Sequence, residues 1–231
     1  MEITQNAEDA IKKRGIEDGK IIFCLSTERI KIEHNGMPFD DKDVDSICGV
    51  RSNKNPNEDF IGYMGIGFKS VFSITNKAQI FSGDYSFKFD KDECPRELPW
   101  FITPLEAKSP ERLDKEMTTF IFPFKGEENI YQKTKDELEK FGVHLLMFLN
   151  SIKYIEINFE SEEDTNVLTL NKLEPIGEIM RISENKEIKE FMTFSKELSV
   201  PPYISKDPDT IKAERHKVKK RMAILAFPFG G

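Results

Sequence analysis

Ile61-Gly62-Tyr63-Met64-Gly65-Ile66-Gly67-Phe68-Lys69-Ser70-Val71-Phe72 crowds three glycines into a turn that opens directly into an apolar helical run. Glycine adopts positive φ and lets a backbone approach a ligand closely, and the first turn of a helix aims unpaired N–H groups at an anion. Lys69 adds a point charge beside them. Such a turn either cradles a phosphate or is a tight, glycine-capped loop, and spacing alone leaves both open. Immediately upstream, residues 51–59 are polar and show no periodicity. They are expected to be a lid over a bound nucleotide or a plain surface loop.

The start of the chain narrows the choice. In Met1-Glu2-Ile3-Thr4-Gln5-Asn6-Ala7-Glu8-Asp9-Ala10, a helix places Glu2, Asn6 and Asp9 in one narrow stripe, beside an apolar stripe of Ile3, Ala7, Ala10 and Ile11. A solvated acidic face accounts for that pattern in isolation. The alternative is a hydrolytic metal–nucleotide site, which needs a carboxylate base for water and an amide oxygen for magnesium.

Together these segments resemble the GHKL ATPase superfamily, whose Bergerat-type nucleotide site is shared by a large heat-shock chaperone, gyrase B, MutL and sensor histidine kinases. The runs QNAEDA (5–10), HNGMPF (34–39) and GYMGIGFKSVF (62–72) are most similar to the N-terminal ATPase-like domain of sacsin and its prokaryotic relatives. The resemblance continues through FSGDYSFKFD (81–90), WFITP (100–104) and TTFIFPF (118–124), and so spans most of the first two thirds of the chain.

That resemblance implies Glu2 as the general base and Asn6 as the side-chain oxygen on a Mg ion carried by ATP, with Asp9 and Ala10 lining the same helix face. It implies that Gly62, Gly65, Ile66 and Gly67 cradle phosphate, with Phe68 and Lys69 starting the helix behind them. Lys69 is then a γ-phosphate contact; otherwise it is a surface lysine. In the second motif Gly36 is kept, but His34 stands where the family carries the adenine-reading Asp, and Pro38 replaces a glycine. A neutral imidazole accepts a hydrogen bond only through the nitrogen without a proton, so His34 reads adenine in one tautomer only, or is structural. Phe39 is placed against the base. Alternation puts Thr118, Phe120 and Phe122 on one side of a strand, and Thr118 matches the threonine that steadies the adenine-side hydrogen bonds.

The composition agrees with the nucleotide-binding domain that the resemblance implies and argues against a polyanion binder. Among 231 residues, 41 acids exceed 34 Lys and Arg, for a net charge of −7, which argues against a dedicated nucleic-acid or anionic-membrane partner. The basic stretch at 212–221 has no interleaved aromatics and reads as a solvated face. No apolar run reaches membrane-spanning length and no secretory leader is evident. Cys24, Cys48 and Cys94 are scattered and odd in number, which fits a reducing cytoplasm. Expected partners are the nucleotide, a protein client or further domains of a larger chain of which this is a fragment, and a second copy in a nucleotide-dependent dimer.

Periodicity predicts helices at 3–14, 40–48 and 133–149, the last burying Leu138, Phe141, Leu145, Phe148 and Leu149. It predicts strands at 21–25, 29–33, 78–81, 85–90, 117–124, 154–159, 167–170, 176–182 and 221–229, while 188–198 reads equally as helix or strand. With the resemblance, these elements imply an α/β fold: a two-layer sandwich of Bergerat type, a mostly antiparallel mixed sheet with helices on one face. Residues 1–150 are expected to form the nucleotide-binding domain and 151–231 a β-rich extension, the start of a second domain. The expected activity is slow ATP hydrolysis driving lid movement, or a nucleotide-gated, chaperone-like scaffold with little hydrolysis.

Overall fold

The computed structural model describes residues 2–49, 67–110, 113–160, 165–212 and 215–229. The predicted lid at 51–59, with Gly62, Gly65 and Ile66, lies outside the described residues.

The chain opens with α1 (Glu2–Arg14), followed by a hairpin of β1 (Gly19–Leu25) and β2 (Arg29–His34), and then α2 (Asp41–Cys48). Asp40 starts α2 through a capping box: its side chain accepts from the Asp43 N–H, and the Asp43 side chain accepts from the Asp40 N–H. A 3-10 helix (Phe68–Ser73) leads into β3 (Lys77–Ser82), β4 (Tyr85–Asp90), the two-residue β5 (Leu105–Glu106) and β6 (Thr118–Pro123). Helices α3 (Ile130–Glu139) and α4 (Val143–Phe148) precede β7 (Ile152–Glu160), β8 (Thr165–Ile176), β9 (Ile179–Glu184) and β10 (Glu187–Ser199). Two one-turn helices, α5 (Pro202–Ser205) and α6 (Pro208–Lys212), and a second 3-10 turn (Arg215–Lys217) then lead to β11 (Lys220–Pro228).

All strands join one 11-stranded sheet in the order β11-β10-β9-β8-β7-β1-β2-β6-β3-β4-β5. Only β1 and β7 run parallel, at the centre, where a bulge between Gly19 and Lys20 shifts the register. Every other neighbouring pair is antiparallel. Local chemistry sets the tight turns. Asn185 and Lys186 both have positive φ, the signature of a two-residue type I′ hairpin between β9 and β10. Gly83 and Gly177 supply positive φ at the turns after β3 and β8.

Alternation along β1 buries Ile21, Phe23 and Leu25 on the face that α1 covers, together with Ile155, Ile157 and Phe159 of β7. α4 packs across β7, β8 and β9 on Ile182 and Leu170, which are fully buried. Phe68, Phe89, Phe120 and Phe122 extend that core beneath the 3-10 helix. A second, smaller cluster of Phe81, Ile121 and Ala107 occupies the opposite face.

This architecture corrects the expected two-layer sandwich with helices on one face: it is a single large mixed sheet with few helices, and strand residues outnumber helical ones. Three local causes reduce the helical layer. The segment predicted as one helix at 133–149 is two, because Gly142 is extended (φ −143°, ψ −173°), and Phe148, expected inside, is half exposed. The run after the glycine turn is a six-residue 3-10 helix. The ambiguous 188–198 segment is strand, and with β11 it extends the sheet beyond Phe191, where the His144 ring of α4 meets β10.

Candidate functional site

At the mouth of the predicted site, α1 and the end of the glycine turn touch. A Cβ built on Gly67 would fall 1.9 Å from Glu2 Cδ and 2.1 Å from Glu2 Oε1. The bare backbone of Gly67 is therefore what gives the half-buried Glu2 carboxylate its place. Gly67 itself has ordinary helical φ and ψ, so the constraint is steric approach rather than backbone strain.

Further along α1, Asn6 and Ala10 are half buried and Asp9 is buried at 3 % exposure. Gly36 also meets this helix closely: a Cβ there would lie 2.7 Å from the Ala10 Cβ, and the Met37 N–H donates to the Ala10 carbonyl at 2.9 Å. Asn35 locks the approach. Its Oδ1 accepts the Lys20 N–H (2.8 Å), its Nδ2 donates to the Asp18 carbonyl (2.9 Å), and Arg14 donates to its own carbonyl (2.9 Å). The end of β2 is thus pinned between α1 and β1.

His34 is buried, and its Nδ1 accepts the Gly36 N–H at 3.1 Å. Burial lowers its pKa from 6.5 to about 4, so the ring is neutral. With Nδ1 accepting, the proton sits on Nε2, which makes the second nitrogen a donor. His34 pairs with Thr118 across β2 and β6. The Thr118 hydroxyl bonds Ser82 Oγ at 2.6 Å, and Ser82 accepts the Phe39 N–H at 2.9 Å. Phe39 and His34 each approach the Phe120 ring, with centroids 6.2 and 6.0 Å away. His34, Gly36, Phe39 and Thr118 are thereby gathered at one end of the sheet, against α1.

Phe68 and Lys69 are drawn elsewhere. Phe68 is a core residue against Phe72, Phe89, Phe120 and Phe122. The Lys69 ammonium donates to the Gly49 carbonyl at the end of α2 and lies 5.9 Å over the Phe101 ring. Burial lowers the pKa of Lys69, with the Cys48 thiol acting in the opposite sense.

Sequence reading missed Glu8. Buried at 3 % exposure, its carboxylate accepts three successive backbone N–H groups, of Asn150 (2.8 Å), Ser151 (2.7 Å) and Ile152 (2.8 Å). Lys172 holds the same turn from β8 by donating to the Leu149 carbonyl at 2.7 Å, and burial is the largest cause lowering its pKa to about 8. The signal was an acid between Thr4 and Ile11 on the core side of α1, which requires a partner when buried. Ser82 was missed as well; its place before the Gly83 turn was the only hint.

Fold and mouth together define a strand-dominated mixed-sheet protein in which α1 meets Gly67. No protein-family model matches the chain. A 112-residue stretch is 32 % identical to Protein NO VEIN of Arabidopsis thaliana, covering 47 % of this chain and 4 % of that protein's length. The crystal structure of the N-terminal domain of a DNA repair protein superposes with a TM-score of 0.42 at 14 % identity, covering 71 % of this chain and 50 % of that one. A likeness at that level assigns neither fold family nor function. Among the described residues, no helix is long and apolar enough to cross a membrane.

Proposed function

We propose that the chain is a Mg-dependent ATP-binding domain of the GHKL kind, in its sacsin-like branch, that hydrolyses ATP slowly. The observation that carries this reading is the contact of the Glu2 carboxylate with the Gly67 backbone. It joins an acid on one face of α1 to the last glycine of the turn that would take the phosphates. The residues present fit the nucleotide. Gly67, lacking a Cβ, lets the Glu2 carboxylate stand directly against the end of the segment that would take the phosphates, and Asn6 supplies one hard oxygen from the same helix. Among the described residues no cluster of three or more His, Cys, Asp or Glu is gathered to hold a metal. That suits Mg arriving on the phosphates with most of its shell as water.

In this reading Mg neutralises phosphate charge when bound. Glu2 orients a water and takes its proton as the water oxygen bonds to the γ-phosphorus and the bond to the β–γ bridging oxygen breaks. ADP and phosphate leave. Positioning and electrostatics do most of the work. The three free cysteines suit a reducing, cytoplasmic setting. A protein client, further domains of a longer chain and a nucleotide-dependent second copy are the partners the reading implies.

One second reading has its own support, a nucleotide-gated scaffold with little turnover. Lys69 is engaged with Gly49, and His34 offers a donor where an adenine amino group needs an acceptor. Phosphate release by the purified chain with Mg·ATP separates the two. Release lost in Glu2→Ala supports hydrolysis, and saturable binding without release assigns the scaffold.

A further inference from the structure

The geometry points to a 6-oxopurine, the base of guanosine and inosine triphosphates, as the base that the site takes most tightly, with His34 as the residue that selects it. This rests on the nucleotide-site reading above and names the class of base that the chain's own side chains favour.

Three buried polar side chains lie abreast at the end of the sheet: His34 on β2, Thr118 on β6 and Ser82 on β3, at 2 %, 1 % and 2 % exposure. Alternation puts His34 on the face of Ile30 and Ile32, and Thr118 on the face of Phe120, so the polar row stands where the main core runs out. Gly36 sets this row against Ala10 of α1. Ala10 is eight residues on from Glu2, about 12 Å along a helix at 1.5 Å per residue. With its phosphates at Glu2 and Gly67, a nucleoside triphosphate laid along α1 brings its base to the row. Phe39 and Phe120 supply an apolar wall beside it.

The turn after β2 fixes which way the His34 hydrogen bonds run. The Gly36 N–H donates to His34 Nδ1 at 3.1 Å, and a Cβ on Gly36 would come within 2.9 Å of that nitrogen, so ring and turn are closely fitted. Turning the ring over would set a C–H against the buried N–H and orphan it. Nδ1 therefore accepts, and the proton is on Nε2. Among the described residues Nε2 has no hydrogen-bond partner, and it is not one of the enclosed polar atoms left without one, which are Arg181 Nε and His216 Nδ1. It is a donor that reaches open surface, on a ring with no acceptor left to offer.

Beside it, the Thr118 hydroxyl keeps an acceptor lone pair while bonded to Ser82, whose oxygen takes the Phe39 N–H. The row thus reads donor, then acceptor. A 6-oxopurine presents the complement, an O6 acceptor next to an N1–H donor. Adenine presents the reverse and sets its amino N–H against the His34 N–H. A hydroxyl adapts to either base, but this imidazole does not, and a buried donor left unpaired is what discriminates between ligands of one shape.

Calorimetric titration of the full chain with Mg·GTP, Mg·ITP and Mg·ATP tests the assignment. The wild type is expected to bind GTP and ITP about tenfold or more tightly than ATP; ITP separates the 6-oxo group from the 2-amino group of guanine. His34→Asp, an acceptor in place of the donor, should reverse the order. His34→Asn can accept the Gly36 N–H through its amide oxygen and turn its NH2 outward, so it should keep the wild-type order, whereas a merely structural His34 would weaken all three nucleotides together in both variants. The wild-type order needs no substitution, so the proposal stays exposed even where His34→Asp unfolds. Equal or tighter binding of ATP by the wild type, still weakened in Asn6→Ala, overturns the base assignment and leaves the nucleotide site standing. ITP binding as weakly as ATP, or an order unchanged in folded His34→Asp, removes His34 from the selection and overturns it too. Binding of none of the three overturns the nucleotide site and this inference with it.

Discussion

Glu2 and Gly67 lie so close that neither can be changed without consequence for the other. Glu2→Ala is expected to keep nucleotide binding and lose turnover by about 100-fold, the usual scale for a general base. Unchanged phosphate release would remove Glu2 from the chemistry. Gly67→Ala should give the same phenotype, because the new Cβ displaces the flexible end of Glu2 rather than backbone. A Gly67→Ala chain that turns over normally would show that the contact is incidental. His34 makes two statements at this scale. Its neutral, Nε2-protonated ring predicts that His34→Asp, which restores an acceptor, raises affinity for Mg·ATP relative to Mg·GTP; titration of both nucleotides checks it. Its pKa of about 4 in the fold against 6.5 unfolded means that the unfolded chain binds the extra proton between those values. Stability therefore falls as pH drops through that window, by about 1.6 kcal/mol between pH 6.5 and 5. Urea denaturation at the two pH values should show this loss in the wild type and lack it in His34→Phe. The residues the resemblance pointed to stand as candidates, while the tautomer of His34 and the tether of Lys69 to Gly49 were not legible in the sequence, since both depend on neighbours that local sequence does not announce.

Among the elements, α1 acts as a structural joint. Through Glu8 it clasps the turn between α4 and β7, and Lys172 clasps that turn from β8, so the first helix and the C-terminal strands share one joint. Glu8→Ala leaves three backbone donors without their acceptor and should cost about 3 kcal/mol or more, since charge-assisted bonds are lost and buried groups orphaned. A loss under about 1 kcal/mol in urea unfolding would contradict the clasp. Elements with strong local signals were readable: the apolar run from Ile21 to Leu25 marked β1, and α1 and α2 lie close to the helices expected at 3–14 and 40–48. The segment 133–149 was misread because apolar spacing continues through Phe141 and Leu145 across Gly142, whose extended conformation separates α3 from α4. At 188–198, alternation was too short to separate strand from helix, and pairing on both sides decided it.

For the molecule as a whole, the decisive contact is the parallel pairing of β1 with β7, strands separated by more than a hundred residues. No local pattern announces such a pairing; the helix-covered sandwich was expected from the family resemblance, and one extended sheet is found. Its consequence is cooperativity: residues 1–150 and 151–231 share strands, core and the Glu8 joint, and should unfold together. Trp100, the only tryptophan, packs on Phe72 in the first part, so its fluorescence and far-ultraviolet circular dichroism should report coincident urea transitions. Separated midpoints would divide the chain into independent units. Calorimetric titration of Mg·ATP into the wild type and Asn6→Ala tests most directly whether the meeting of α1 and the glycine turn is a nucleotide site. Saturable binding to the wild type, weakened about tenfold or more in Asn6→Ala, is the expected result; absence of binding, or an affinity indifferent to Asn6, would contradict it.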